Sequence, residues 1–435
     1  MQFNNIIYEK IKSHFKINPK DYGLNINYYT TEEDQYLESL EIINSIVFDK
    51  IPTQKLFITN AIGRVLAKDI VADHNSPEFP TSGMDGYAIK FEDISNDFIE
   101  IIDKNPAGFV VEKSVENGSC IKTFTGSLMP KGSDTLVPIE NVEVNENKIK
   151  IIKPVPFGFA VRNIGENYKK DEVLIKKGTI IGFSEVGVMA SLNIPQVDVF
   201  LNPTIAVAST GSEILDLGVT QTNDSQIRSS NHLTLEALFK SNGAQVLQMG
   251  PIIDDIDTIT NFFESSLKKA DIVVTTGGVS VGDYDFVQDV IKDRLKAKVL
   301  FHGVLIKPGL HILIALKDEK VIVALPGFAY SSTVTAILYV LHLIFKFRKA
   351  NQSLPIVKAR INQDLKRTQD KTIFTACNVE YKNGEYIIDF VGKKSGTSAI
   401  LTNMLGNPAL LIQNQDSLDI KSGDLVDIIL LNNLK

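Results

Sequence analysis

The chain has 435 residues, of which 44% are apolar and 22% charged, with a formal net charge of −7. That length accommodates two to four domains, and the balance is that of a globular rather than a disordered protein. The negative charge argues against duplex DNA or an anionic membrane as main partner, so no nucleic acid and no membrane are expected. Two cysteines, Cys120 and Cys377, cannot build a disulfide framework and fit a reducing compartment. The six histidines (His14, His74, His232, His302, His311, His342) are scattered, without zinc-ligand spacing. No signal-peptide pattern opens the chain. The most apolar stretch, Thr333–Phe347, is shorter than the roughly 20 residues that span a bilayer and contains Tyr339 and His342. It reads as a buried helix, and a cytoplasmic location is expected.

Residues 1–34 are polar and broken by Pro19 and Gly23, with one short amphipathic helix around Ile6–Phe15. Leu37, Leu40, Ile43 and Val47 follow helical spacing, and a second helical patch is expected over Ile58–Ala67. In residues 76–89, S-P-E-F-P-T-S-G-M-D-G-Y-A-I, the prolines forbid regular structure and Gly83 and Gly86 bracket Asp85 on a turn. A carboxylate between glycines is poor core material; it is a solvated loop tip or a site residue. Short strands are expected at Phe98–Asp103, Gly108–Lys113, Ser119–Thr125, Thr135–Glu140 and Lys148–Val155, a small β domain. Residues 172–199 read as a linker carrying one helix, Ser184–Leu192.

From Pro203 the pattern becomes alternating strands and helices, which implies a mostly parallel sheet with helices on both faces. Ligands of such sheets bind where the carboxyl ends of the strands meet the loops. Four polar loops follow strands here: Ser209–Glu213, Thr275–Asp285, Lys307–Gly309 and Pro326–Gly327. The fold predicts that they converge on one rim. Residues 351–435 return to short strands and form a terminal β domain.

The stretch Asp271–Asp285, D-I-V-V-T-T-G-G-V-S-V-G-D-Y-D, is the richest in chemistry. An apolar strand runs into Gly277, Gly278 and Gly282, which let a ligand approach the backbone, and then into a helix start suited to an anion. Asp283 and Asp285 would repel a phosphate unless a cation such as Mg²⁺ lies between. The plain alternative is a glycine turn with Asp283 as helix cap. Neither G-x-x-x-x-G-K-[ST] nor G-x-G-x-x-G is present, which excludes a P-loop nucleotidase and argues against a dinucleotide dehydrogenase. A site for a phosphorylated ligand is left, held by backbone N–H groups, Lys307 and a carboxylate-bound divalent cation. Lys307 as a surface charge and Glu213 as a helix cap are the structural alternatives.

The motifs S-G-M-D-G-Y-A-I (82–89), T-G-S-L-M-P-K-G-S-D (125–134), S-T-G-S-E-I (209–214), S-S-N (229–231), T-T-G-G-V-S-V-G-D-Y-D-F-V (275–287), K-P-G (307–309) and L-P-G (325–327) occur in the order and spacing of molybdopterin molybdenumtransferases. On these residues the chain resembles that family, whose module also forms the C-terminal domain of gephyrin, over about nine-tenths of its length. The resemblance implies a multidomain α/β protein. Its three-layer α/β/α sheet domain (36–50 and 200–350) resembles molybdopterin adenylyltransferase. A linker domain (51–70 and 172–199), a β-rich insert (71–171), a C-terminal β-barrel (351–435) and an N-terminal extension (1–35) complete it. It also implies a homodimer with the cleft shared between the sheet domain of one subunit and the insert of the other, and a molybdopterin adenylyltransferase as a further partner. The implied reaction takes adenylylated molybdopterin and molybdate, and with Mg²⁺ releases AMP as molybdenum enters.

Carried over by the resemblance, Asp85 and Thr125 reach the cleft from the insert, and Glu213, Asp283 and Asp285 place Mg²⁺ and water. Gly277, Gly278, Ser280 and Gly282 cradle phosphate. Ser230 and Asn231 match the family's Ser-Asn pair, Lys307, Pro308 and Gly309 its oxyanion loop, and Pro326 and Gly327 its L-P-G loop. Departures fall mainly on the oxyanion side. Leu310 and His311 replace a Lys-Pro pair, Phe328 and Ala329 replace Asn-Pro, Asn167 stands for an acidic residue, and Ser212 stands where an Asp is usual. The Gly-Arg pair expected before Phe374 is missing, with Arg367 or Lys371 as substitutes, while Ser395 and Ser398 match the family's serines loosely. These losses leave open a scaffolding paralogue that binds the pterin nucleotide without inserting metal, or an enzyme that handles tungstate.

Overall fold

The computed structural model describes residues 35–279, 286–367, 370–394, 398–415 and 417–434. Its central unit is a six-stranded sheet built from β1 (Thr204–Thr210), β2 (Gln245–Ile252), β3 (Ile272–Thr276), β4 (Lys298–His302), β5 (Leu313–Lys317) and β6 (Lys320–Leu325), in the order β2-β1-β3-β6-β5-β4. The first four of that order run parallel, whereas β5 is antiparallel to both β6 and β4. Every residue of β3 is buried, as are all but the first of β1 and β6, which is why these strands read as continuous apolar runs rather than alternating ones.

Helices cover both faces. On one lie α1 (Gln35–Ser45), α2 (Asn231–Ser241) and α4 (Ala329–Phe347), which pack on Val207, Val274 and Val323. On the other lies α3 (Ile256–Leu267), whose Ile259, Phe262 and Phe263 pack on Ala208, Val273 and Ile322. Asp255 starts α3 by accepting from the Thr258 N–H at 2.8 Å, an N-terminal cap. The helix α4 is long and apolar enough to cross a membrane, but 89% of its apolar window is buried inside the protein, as a core helix requires. In α1, Tyr36 stacks edge-on against Tyr339 of α4 and Phe374.

Strand Thr53–Phe57 pairs with Gln196–Phe200, and Ile70–Val71 with Val173–Ile175, so the chain between them is looped out of this small unit. The looped-out segment contains its own six-stranded sheet over residues 86–151. The helix expected over Ile58–Ala67 is only a single 3₁₀ turn, Ile58–Ala61, because Val65 and Leu66 pair instead with Ile180 and Val199. The strand expected at Gly108–Lys113 does not form: Phe109 and Val110 are exposed and find no pairing partner.

The C-terminal residues close into a barrel in which Thr372–Lys382, Glu385–Asp389, Ile356–Ile361, Leu425–Leu430 and Pro408–Gln413 pair in turn, and the last pairs back with the first. Phe374, Leu410 and Ile429 join the same apolar cluster as α4, so barrel and sheet share a continuous core. The strand expected over Val299–Ile306 divides. Its first part is β4, while Ile306–Lys307 leaves the sheet and pairs in parallel with Thr372–Ile373 of the barrel.

Candidate functional site

The register of the sheet assembles the rim. Ser209 pairs with Thr276, and Thr276 with Leu325, so the loops after β1, β3 and β6 leave side by side. The Gly277 N–H donates to the Leu325 carbonyl at 3.0 Å. Gly277 (φ +95°) and Gly278 (φ +65°) are left-handed, and a Cβ on Gly277 would lie 2.7 Å from the Thr210 carbonyl oxygen. A Cβ on Gly327 would in turn lie 3.5 Å from the Gly277 Cα. The two strand-end loops thus pass each other at ordinary contact distance, and it is the approach of Gly277 to Thr210 that excludes a side chain.

Asn231, at the start of α2, ties this rim together. Its amide Nδ2 donates to the Gly327 carbonyl at 2.6 Å and approaches Thr276 Oγ1 at 3.4 Å. Ser230 is the residue before the helix, with its carbonyl accepting from the Thr234 N–H, and its side chain is exposed. Val279, the last described residue of the glycine loop, is held by His302, whose Nε2–H donates to its carbonyl at 3.2 Å. Burial pushes the His302 imidazole down to about 4, and the bond to Val279 only partly offsets this. Ser280, Gly282, Asp283 and Asp285 lie outside the described residues.

Glu213 is exposed at the same rim, with its Oε1 close over Gly211. Among the described residues, no three His, Cys, Asp or Glu side chains come together as a metal-binding set. An exposed carboxylate of this kind is nevertheless a donor that Mg²⁺ takes, since the ion keeps several waters and shares substrate phosphates with one or two carboxylates.

Asp85 and Thr125 face each other within the looped-out sheet unit. The Asp85 carboxylate accepts from the Thr125 N–H at 2.8 Å and from its hydroxyl at 2.7 Å. The backbone bond, then the hydroxyl bond, holds this exposed carboxyl below its usual range.

Lys307, Pro308 and Gly309 take a different place from the one the alternation implied. The pairing of Lys307 with Ile373 carries it away from the glycine rim, while Gly309 packs on Thr335 of α4. Lys307 and Pro308 line a cavity of about 390 Å³ between sheet unit and barrel, together with Tyr330, Lys366, Lys393, Lys394 and Ser398. Gly277, Gly278 and Gly327 are not among its lining residues. Lys371 is held below the ordinary lysine range by burial first and by the Lys307 charge second, so it adds to the same positive field. Of the two substitutes considered for the missing arginine, Lys371 feels Lys307, whereas Arg367 turns its guanidinium to the Ser417 carbonyl and Asp370.

Two sets of residues escaped the sequence reading. The cavity lysines come from loops of the barrel, about 60 to 90 residues beyond Lys307, with no local motif to mark them. The buried His232 with Ser229 and Asp216 was hidden among scattered histidines. The signal available was a serine and a histidine three apart where a loop enters a helix, S-S-N-H.

The chain is similar to known proteins over most of its length. Residues 34–193 match the family model described as "MoeA N-terminal region (domain I and II)", and residues 206–346 match "Probable molybdopterin binding domain". A protein of Staphylococcus epidermidis named molybdopterin molybdenumtransferase is 30% identical over 400 residues, covering 90% of this chain and 94% of its own length. One of Staphylococcus aureus with the same name is 30% identical over 388 residues, covering 87% and 91%. The crystal structure of the molybdopterin biosynthesis moeA protein from Pyrococcus horikoshii superposes with a TM-score of 0.78 at 28% identity, covering 92% of this chain and all of that one. With seven motifs in order, a strand-end glycine rim and full-length relatives at this identity, the chain belongs to the molybdopterin molybdenumtransferase family.

Proposed function

We propose that this chain inserts molybdate into adenylylated molybdopterin, with Mg²⁺-dependent release of AMP, giving molybdenum cofactor. The observation that carries the reading is the lysine-lined cavity at Lys307 and Pro308. The second cation missing from the K-P-G loop is replaced from the barrel by Lys366 and Lys394, with Lys371 nearby. Several cations around one cavity suit a small dianion, because each lowers its energy where water is partly excluded. This favours an inserting enzyme over a scaffold that has given up the metal.

In this reading the Gly277–Gly278 and Gly327 loops offer backbone N–H groups to the nucleotide or pterin phosphate. Asn231 keeps the two loops in register. Glu213, with Asp283 and Asp285, would hold Mg²⁺, whose chemistry is to screen the phosphate oxygens while the anhydride link is hydrolysed. Asp85, kept ionised by Thr125, belongs to the insert, and a second copy of the chain would bring it to the cleft. The enzyme therefore works as a homodimer, and receives its nucleotide-linked substrate from a molybdopterin adenylyltransferase.

Purified protein incubated with adenylylated molybdopterin, Mg²⁺ and molybdate should release AMP in proportion to molybdate. Bound nucleotide without molybdate-dependent AMP release would overturn the proposal in favour of a scaffold. Release supported by tungstate but not by molybdate would reassign the oxyanion.

A further inference from the structure

His232 is 1% exposed, yet both ring nitrogens have polar partners. Nε2 lies 3.4 Å from Oδ1 of Asp216, a carboxylate half open to solvent. Nδ1 lies 2.8 Å from Ser229 Oγ and 3.4 Å from Ser209 Oγ. Ser229 Oγ is 3.2 Å from Ser209 Oγ, and Ser209 Oγ also accepts from Thr276 Oγ1 at 3.0 Å. The chain of contacts therefore runs from a solvent-facing carboxylate, through a buried imidazole and two serines, to Thr276 beneath the glycine rim. A short arm makes it possible: Ile214–Leu215 pairs with Ile227–Arg228, and the Ser229 N–H donates to the Leu215 carbonyl, which brings Asp216 and Ser229 to the same ring.

We propose that His232 is a positioning residue that sets the direction of the Ser229–Ser209–Thr276 hydroxyl chain under the site, with Asp216 as its link to solvent. The proposal rests on the reading of the rim as a phosphate cradle. Each hydroxyl has one proton to donate. When Nδ1 is bare, Ser229 gives its proton to the ring. When Nδ1 carries a proton, the ring donates to Ser229, and Ser229 donates to Ser209. Ser209 then accepts from both Ser229 and Thr276, leaving its own proton free to face the cradle. The ring's charge state thus decides whether the floor of the site presents an extra donor to an anion. His232 is faced by Asp216 from the arm. On its own helix Glu236 lies within electrostatic reach, bonded to Lys240 and to Gln248 of β2, while Arg228 donates to the Asp216 backbone.

The test is a pH titration of ¹⁵N-histidine-labelled protein by long-range ¹H–¹⁵N NMR, with the backbone amides of Ser209 and Thr276 followed in parallel. Those amides should shift with the same midpoint as His232, and lose that transition in both His232→Gln and Ser229→Ala. In turnover, the limb of the kcat profile for molybdate-dependent AMP release should move with that midpoint, and His232→Gln should lower kcat about tenfold with little change in the KM for molybdate. Amides that ignore the His232 titration in the wild type, or that keep the transition in a folded Ser229→Ala variant, would overturn the relay. Absence of AMP release at every pH would instead overturn the proposed function and leave the relay to the NMR result.

Discussion

Asn231 Nδ2 donates to the Gly327 carbonyl at 2.6 Å, joining the first turn of α2 to the loop that follows β6 across 96 residues of chain. Gly327 is exposed, so water can replace the lost partner in Asn231→Ala. The cost in stability should be about 1 kcal/mol, as for an ordinary hydrogen bond. Nucleotide affinity should suffer more, because the Gly277 and Gly327 loops would lose their common anchor. A urea melt and an AMP-binding titration on the same sample separate the two effects.

Gly277→Ala should lower both stability and nucleotide binding. The residue sits at φ +95°, where a Cβ costs about 1–2 kcal/mol, and that Cβ would meet the Thr210 carbonyl at 2.7 Å. A total near 2 kcal/mol or more is expected by denaturant titration. Gly126→Ala is the control, since it is also left-handed (φ +81°) but has open space around the added carbon.

Asp85→Asn should leave the melting temperature unchanged while removing most turnover, because the carboxylate is exposed and the role proposed for it is charge at the cleft. Thr125 holds this carboxyl ionised below the usual range, so Asp85 should contribute no limb to the rate profile near neutral pH. Thr125→Val should raise the Asp85 pKa, measurable by carboxyl ¹³C NMR.

His302 makes stability depend on acid. Its ordinary value of 6.5 is pushed to about 4 in the fold, so between those values the unfolded chain binds the proton first. Its contribution is present in full above about pH 6.5 and is lost as pH falls toward 4, by on the order of 3 kcal/mol in all. His302→Gln should flatten that part of the stability profile in urea melts between those pH values.

Lys307→Gln should raise the molybdate concentration for half-maximal AMP release by on the order of tenfold, one cation's share of a small anion's binding. Lys393 donates to the Asn403 and Leu405 carbonyls, at 2.8 and 3.1 Å, so Lys393→Gln should cost stability as well as affinity. Steady-state kinetics beside thermal melts distinguish the two lysines.

The alternating strands and helices after Pro203 and the glycine turn at Gly277 were legible because each is a local pattern: apolar runs make buried strands, and glycine marks a backbone that must be approached. The same local logic failed where pairing is long-range. Gly108–Lys113 has strand composition but no neighbour to bond, and Ile58–Ala67 lost its helix to the pairing of Val65 and Leu66 with Ile180 and Val199.

By itself the sequence determined the family and the order of the motifs, since seven short patterns at fixed spacing need no fold to be recognised. It also determined the parallel sheet and the loops at its strand ends. Only the tertiary structure decided that Lys307 leaves the rim to pair beside Ile373, that barrel lysines line one cavity with it, and that His232 meets Asp216 and Ser229. The reason is physical. Backbone propensity and apolar periodicity act over a few residues, whereas a cavity or a buried hydrogen-bond chain is made by side chains that meet only after distant segments pack.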